Sequence, residues 1–174
     1  MLERLLVAGA GGQGIILTGK MLANLAVNKA PHITFFPAYG AEVRGGTSNC
    51  QVVFSSDEIG SPVCEEFDSM IIMNQASLDR FISQALPGSL VLINSSMCNQ
   101  PSSREVAQVP ATDIANKMGN IKVANFVILG AYLSRRPIIE PGEVIERTRE
   151  ILAGKPQDLI ELNLKAFQAG LESA

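Results

Sequence analysis

Leu5-Leu6-Val7-Ala8 runs straight into Gly9-Ala10-Gly11-Gly12-Gln13-Gly14, and from Ile15 onward the residues fall into a helical pattern. An unbroken apolar run ending at glycine is how a strand buried on both faces reads. Ile15, Ile16, Gly19, Leu22, Ala23 and Ala26 then recur at i, i+3, i+4 and i+7, which predicts a helix between Gly12 and Lys29. Gly19, Ala23 and Ala26 are small and let that helix lie close to a sheet. The rest of the fold is read outward from this strand, turn and helix.

His32 to Phe36 reads as a second strand, stopped by Pro37. A polar, glycine-rich loop follows from Ala38 to Ser48, and Cys50, Val52 and Phe54 then share one face of a third strand. Ser69 to Met73 is a fourth strand, Ala76 to Leu86 a helix ended by Pro87-Gly88, and Ser89 to Ile93 and Val106 to Val109 are further strands. Thr112 to Met118 is a short helix with Gly119 as its C-cap. Ala124 to Leu133 is apolar nearly all round and is expected to be buried, whereas Pro141 to Leu152 and Gln157 to Leu171 are amphipathic. With no internal repeat, low-complexity tract or linker, residues 1–174 are expected to form one α/β domain. Its architecture is expected to be three-layered, Rossmann-like and doubly wound, with a mostly parallel sheet and helices at the C-terminal end.

Composition narrows the function classes. Charged residues make up 18% of the chain, below the rough quarter of a soluble domain. A chain so poor in charge either covers part of its surface with a partner or buries a large parallel sheet. Net charge is -3 with no basic cluster, which argues against nucleic acid. The apolar stretches are shorter than the roughly 20 residues of a membrane span, and the start reads as strand rather than signal peptide. Cys50, Cys64 and Cys98 are scattered without a CxxC, so the chain is not expected to hold an iron–sulfur cluster of its own. Reduced thiols in a cytoplasmic protein are the simpler reading. With His32 as the one histidine, no metal site is expected, and His32 itself reads as a surface or edge residue.

Gly9 to Gly14 matches GxGxxG directly after a strand and directly before a helix, the setting of a dinucleotide fingerprint. Glycines permit a tight turn and close approach to a phosphate, and a helix N-terminus offers N–H donors and partial positive charge. A nicotinamide or flavin site also needs an acid roughly 20 residues further on to grip the ribose. Asn28 to Phe36 holds no carboxylate, which argues against NAD or FAD. Two readings stay open: glycines that serve strand–helix packing, and a seat for a phosphate-bearing ligand shared with another subunit. Gly14 to Met21 also fits GxxxxGK, but Met21 stands where a P-loop needs Ser or Thr for Mg²⁺, so Lys20 is expected to face solvent on the helix.

Tyr39-Gly40-Ala41-Glu42-Val43-Arg44-Gly45-Gly46-Thr47-Ser48 sets an aromatic, an acid and an arginine among glycines. Arg44 carries a planar fork suited to carboxylate or phosphate; its simpler role is an ion pair with Glu42 inside the loop. In an open α/β sheet this loop is expected beside the first glycine turn, at the carboxyl ends of the strands. The two glycine motifs in this order resemble the gamma subunit of 2-oxoacid:ferredoxin oxidoreductases. Ile59-Gly60-Ser61-Pro62, Asn74-Gln75-Ala76-Ser77, Pro87-Gly88 and Asn125-Phe126-Val127-Ile128-Leu129-Gly130-Ala131 extend the similarity over nearly the whole chain.

The resemblance implies a reaction housed largely elsewhere. Such enzymes decarboxylate a 2-oxoacid on thiamine diphosphate with Mg, pass electrons through iron–sulfur clusters to ferredoxin, and form an acyl-CoA. It implies alpha and beta subunits, a ferredoxin-like delta subunit and ferredoxin as partners, with no activity, bound cofactor or catalytic residue for this chain alone. In isolation a homodimer is allowed for. Among oxoacids 2-oxoglutarate is favoured, then pyruvate and branched-chain acids, then indolepyruvate. The candidate coenzyme A or interface residues are Gly9, Gly11, Gly12, Gln13, Gly14, Tyr39, Glu42, Arg44, Gly45 and Gly46. The rival is an independent nucleotide-binding oxidoreductase domain.

Overall fold

The computed structural model describes residues 1–39, 47–101 and 103–173. In chain order it runs β1 (Leu2–Ala10), α1 (Ile15–Ala26), β2 (His32–Tyr39), β3 (Thr47–Ser55), β4 (Phe67–Ile72), α2 (Gln75–Phe81), β5 (Ala85–Asn94), β6 (Ala107–Val109), α3 (Ala111–Lys117), α4 (Ala124–Arg135), α5 (Pro141–Ile151) and α6 (Gln157–Glu172). The six strands form one sheet in the order β2-β3-β1-β4-β5-β6. β1, β4, β5 and β6 pair in parallel, and β3 runs antiparallel to both β1 and β2. Five strands therefore point one way and β3 the other, so the sheet is mostly parallel, as expected.

Alternation along β1 divides the core. Leu5 and Val7 face one side with Cys50, Val52, Phe54, Ile71 and Leu92, where they meet α1, α3, α4, α5 and α6. Leu6 and Ala8 face the other with Met70, Ile72, Val91 and Ile93, where α2 brings Leu78 and Phe81. Helices on both faces make three layers. α4 is buried from Ala124 to Leu133, as its all-round apolar pattern predicts. Gly19 lies over the Cys50 sulfur, so a Cβ there would force α1 off the sheet.

Besides shifts of one to three residues at the ends of α1, β4 and other elements, two boundaries differ from the sequence expectation through tertiary pairing. β2 does not stop at Pro37; it continues to Tyr39, with Pro37 opposite Cys50. The physical reason is its place at the sheet edge, where a residue without an N–H need not break a ladder on both sides. The helix expected to reach Leu86 ends at Phe81 and tightens into a 3₁₀ turn, Ile82–Gln84. Ala85 is already paired with Phe67 of β4, and the register shift before Leu90 takes up Pro87-Gly88, with Gly88 at φ +76. Tertiary pairing overrides the local helical pattern, and Arg104 fixes the segment by donating to the Ala85 and Leu86 carbonyls at 2.9 and 3.0 Å. No helix of the described residues is long and apolar enough to cross a membrane.

Candidate functional site: the glycine turn and its crevice

β1 ends at Ala10 between β3 and β4, and α1 leaves toward one face while α2, after β4, leaves toward the other. That junction of β1 and β4 is the switch point at which open α/β sheets bind ligands. The turn is held from within. The Gln13 side chain accepts from the Ala10 N–H at 2.7 Å and donates to the Met73 carbonyl at 3.3 Å, stitching the ends of β1 and β4 together. Its role among the candidate residues is thus to shape the turn. Gly9 is packed likewise, since a Cβ there would stand 2.8 Å from Met73 Cβ. Gly11 and Gly12 are exposed.

Gly12 and Gly14 have φ of +89 and +76, a region L side chains rarely enter. Gly14 is the N-cap of α1, with no side-chain cap and no acidic residue in the first turn. Among the described residues the leading N–H groups of α1 therefore have no side-chain cap and no first-turn carboxylate to oppose their partial positive charge. Asn125 of α4 lies against this point, its Nδ2 2.5 Å from where a Gly14 Cβ would stand. Asn125 is 5% exposed, and its Oδ1 is buried without a hydrogen-bond partner among the described residues. A lone buried amide oxygen is costly unless something meets it. Asn125 is not among the residues expected from the sequence; the signal that could have found it is a polar side chain in the buried, otherwise apolar stretch Ala124 to Leu133.

Beside the turn opens a crevice of about 360 Å³. Gly11, Gly12 and Gln13 form one side, Thr112 and Lys122 add polar groups, and Met73, Met97, Ile121 and Ala124 line the rest. Two of its lining residues are tied together by Asn94, fully buried, whose Nδ2 donates to Thr112 Oγ1 at 2.8 Å and to the Met73 carbonyl at 3.3 Å. Lys122, Thr112, Met97 and Ile121 were also outside the candidate set, because they converge only in three dimensions. A second groove of about 400 Å³ lies between α1 and α5, but Glu143, Glu146 and Glu150 line it and make it unfit for an anion.

The second candidate loop springs from the same end of the sheet. Tyr39 pairs with Ser48 and Thr47 with Ala10, and Thr47 Oγ1 accepts from Arg80 of α2 at 3.0 Å. Glu42, Arg44, Gly45 and Gly46 lie outside the described residues. The rival dinucleotide reading loses its geometry here. A ribose-binding acid belongs at the end of a strand next to β1, but β3 separates β2 from β1, a distance of about 10 Å over two strand spacings. Pro37-Ala38-Tyr39 at that end carries no carboxylate. Elsewhere, burial pushes the Cys50 and Cys98 thiols up to about 12.

The family model described as pyruvate ferredoxin/flavodoxin oxidoreductase matches residues 4–173. The chain is 36% identical over 173 residues to the ketoisovalerate oxidoreductase subunit VorA of Methanothermobacter thermautotrophicus, covering 98% of this chain but only 36% of that one. It spans about a third of the length of that relative. It is 34% identical to the 2-oxoglutarate synthase subunit KorC of Methanocaldococcus jannaschii, covering 100% of this chain and 95% of the relative. Among solved structures, the gamma subunit of a keto/oxoacid ferredoxin oxidoreductase from Geobacter sulfurreducens superimposes with a TM-score of 0.81 at 27% identity, over 99% of this chain and 96% of that one. A 2-oxoglutarate:ferredoxin oxidoreductase from Magnetococcus marinus, solved with 2-oxoglutarate, coenzyme A and succinyl-CoA bound, gives a TM-score of 0.89 at 25% identity, over 99% of this chain and 31% of that one.

Proposed function

Because the chain belongs to the pyruvate ferredoxin/flavodoxin oxidoreductase family, and along its whole length to the gamma type within it, we propose that it is the gamma component of a cytoplasmic, thiamine-dependent 2-oxoacid:ferredoxin oxidoreductase and is inactive alone. In this reading alpha and beta subunits carry thiamine diphosphate and Mg, and cysteine-rich chains carry the clusters that pass electrons to ferredoxin. The residues of this chain do not fit a cluster: Cys50 lies in the core beneath α1, and Cys98 and Cys64 lie on the opposite side of the sheet, Cys98 against the end of β4 and Cys64 near its start.

The chain's own contribution is a seat for the phosphate-bearing part of coenzyme A at the Gly11–Gly14 turn. The observation that carries this is the start of α1, which no side chain caps, beside the Oδ1 of Asn125, which has no hydrogen-bond partner among the described residues. Backbone donors at a helix N-terminus suit a phosphate, and the amide oxygen suits a donor on the same ligand. The coenzyme A bound in the Magnetococcus enzyme supports the choice of ligand. The favoured oxoacid is 2-oxoglutarate, supported by a relative of nearly the same length that bears that name. A branched-chain oxoacid is the competing choice, supported by the ketoisovalerate relative.

Co-expression with the catalytic subunits and an assay of oxoacid-dependent viologen reduction test the proposal. We expect a stoichiometric complex that needs coenzyme A for turnover and prefers 2-oxoglutarate in kcat/KM. Turnover by the purified chain alone, or failure to co-purify at moderate salt, would overturn the subunit reading.

A further inference from the structure

β2 is an edge of the sheet, and no strand among the described residues pairs with its outer side. The other edge strand, β6, has 3 residues, whereas β2 has 8. Natural sheets protect such an edge with charges, bulges, proline or brevity. β2 carries no Asp, Glu, Lys or Arg and pairs with β3 without a register shift, so Pro37 is its one safeguard.

The direction of its backbone groups follows from the register. The Ser56 N–H donates to the Met1 carbonyl at 2.8 Å, so this pair and every second pair along β1 and β3 exchange hydrogen bonds. Even residues of β3 therefore turn their backbone groups to β1, and odd residues turn theirs to β2. By the register of β2 and β3, His32, Thr34, Phe36 and Ala38 bond to β3, whereas Ile33, Phe35, Pro37 and Tyr39 point outward. Pro37 thus costs the sheet no hydrogen bond.

We propose that this edge pairs with β2 of a second copy of the chain, antiparallel, about a two-fold axis through Thr34. Pro31 and Pro37 stand at equal distances either side of Thr34. The axis sets them opposite each other, where neither has an N–H to leave unpaired. Ile33 and Phe35 of each copy then exchange both backbone bonds with Phe35 and Ile33 of the other. A neighbouring axis, through Ile33 or Phe35, would set a proline against a carbonyl that it cannot serve.

The side chains agree with the same axis. Thr34 meets its own copy in a non-hydrogen-bonded pair, where side chains stand closest. Its Oγ1 is shielded from solvent and has no hydrogen-bond partner among the described residues, and a Thr–Thr hydroxyl bond is a favourable cross-strand pair. On that face Phe36, 39% exposed, falls opposite the exposed His32 of the other copy. On the other face Ile33 meets Phe35, a branched–aromatic pair that continues the core under α1. Gly19 seats α1 over Cys50 of β3, so α1 and its copy lie three strand spacings, about 14 Å, apart and do not collide.

Sedimentation of the purified full chain at micromolar concentration tests the proposal, and a dimer is expected. Phe36→Lys sets an ammonium beside the join in each copy and is expected to raise the dimer Kd by about tenfold, with the circular dichroism of the fold unchanged. In a Cys64→Ser background, Thr34→Cys is expected to form a disulfide between copies on mild oxidation, because the opposed Cα atoms stand about 4.5 Å apart. His32→Cys, about 14 Å from its copy in this register, is expected not to. If Phe36→Lys fails to fold, the cross-linking pair decides alone. A chain that stays monomeric, a dimer that folded Phe36→Lys leaves as tight as before, failure of Thr34→Cys to cross-link, or cross-linking through His32→Cys overturns the proposal.

Discussion

The carboxamide of Asn125 occupies the space that a side chain on Gly14 would need: Nδ2 lies 2.5 Å from the position of a Cβ there. The start of α4 and the start of α1 are thus locked together through residues 111 positions apart. The contact ties the stability of the turn to the seat proposed for coenzyme A.

Gly14→Ala is expected to lose about 1–3 kcal/mol, since it adds both a clash and a side chain at φ +76. Thermal unfolding of the chain reads this as a fall of several degrees, at about 2–4 °C per kcal/mol for a chain of this size. Adding Asn125→Ala removes the clash but not the backbone strain, so the double variant is expected to recover part of the loss. Strict additivity of the two changes would show that the contact is not a close one.

Tyr39 and Thr47, which flank the stretch of sequence that holds Arg44, stand at the same end of the sheet as Gly9 and Ala10. Arg44 is proposed to act at the junction with the catalytic subunits, on a partner carboxylate or on a phosphate of coenzyme A. Lysine keeps the charge but loses the fork, so Arg44→Lys is expected to be damaging by about tenfold. A raised KM for coenzyme A in an intact complex identifies the phosphate role, and easier dissociation at unchanged KM identifies the interface role. Normal assembly, KM and turnover would reduce Arg44 to bracing its own loop through Glu42.

Arg4 and Asp68 join the starts of β1 and β4, with the guanidinium donating at 2.8 and 3.2 Å and the Arg4 N–H at 3.0 Å. Burial alone would raise the Asp68 carboxyl, but the hydrogen bonds from Arg4 outweigh it and hold the group below the usual carboxylate range. A depressed folded pKa contributes stability that is present above the unfolded value, about 3.9, and is lost as pH falls through the folded one. Asp68→Asn is therefore expected to cost about 1 kcal/mol at neutral pH, given its partial exposure. Urea titrations of both proteins should show the gap closing as the medium is acidified below the usual aspartate range. A gap that is the same at acid and neutral pH would remove the charge from the explanation.

Cys50 and Cys98 are buried, and desolvation pushes both thiols up to about 12, whereas Cys64 is half-buried. A thiol reagent at mild alkaline pH is expected to modify Cys64 alone in the folded chain, because the thiolate is the nucleophile. Denaturant should release the other two. Fast labelling of Cys50 without unfolding would mean that α1 does not stay seated over it.

What was legible in the sequence is what local pattern reports. The run Leu5 to Ala8 gave a strand buried on both faces, the spacing from Ile15 gave α1, and the all-round apolar Ala124 to Leu133 gave a buried helix. The glycine turn was legible for the same reason, because positive φ at Gly12 and Gly14 is a demand that only a few residue types meet. Periodicity reports how buried an element is, but not which element buries it. The place of β3 between β1 and β2 was decided by pairing across the sheet, and with it the survival of Pro37 inside an edge strand. The capture of Ala85 by β4, against its helical pattern, was decided in the same way. The crevice belongs wholly to this second kind. Gly11 to Gln13, Met73, Met97, Thr112 and the stretch holding Ile121, Lys122 and Ala124 span more than a hundred positions, and no local pattern carries information about a surface whose walls come from five separate segments. Only the packing of α4 against the start of α1 brings Asn125 to Gly14, because a close-packed interior admits one arrangement of those backbones.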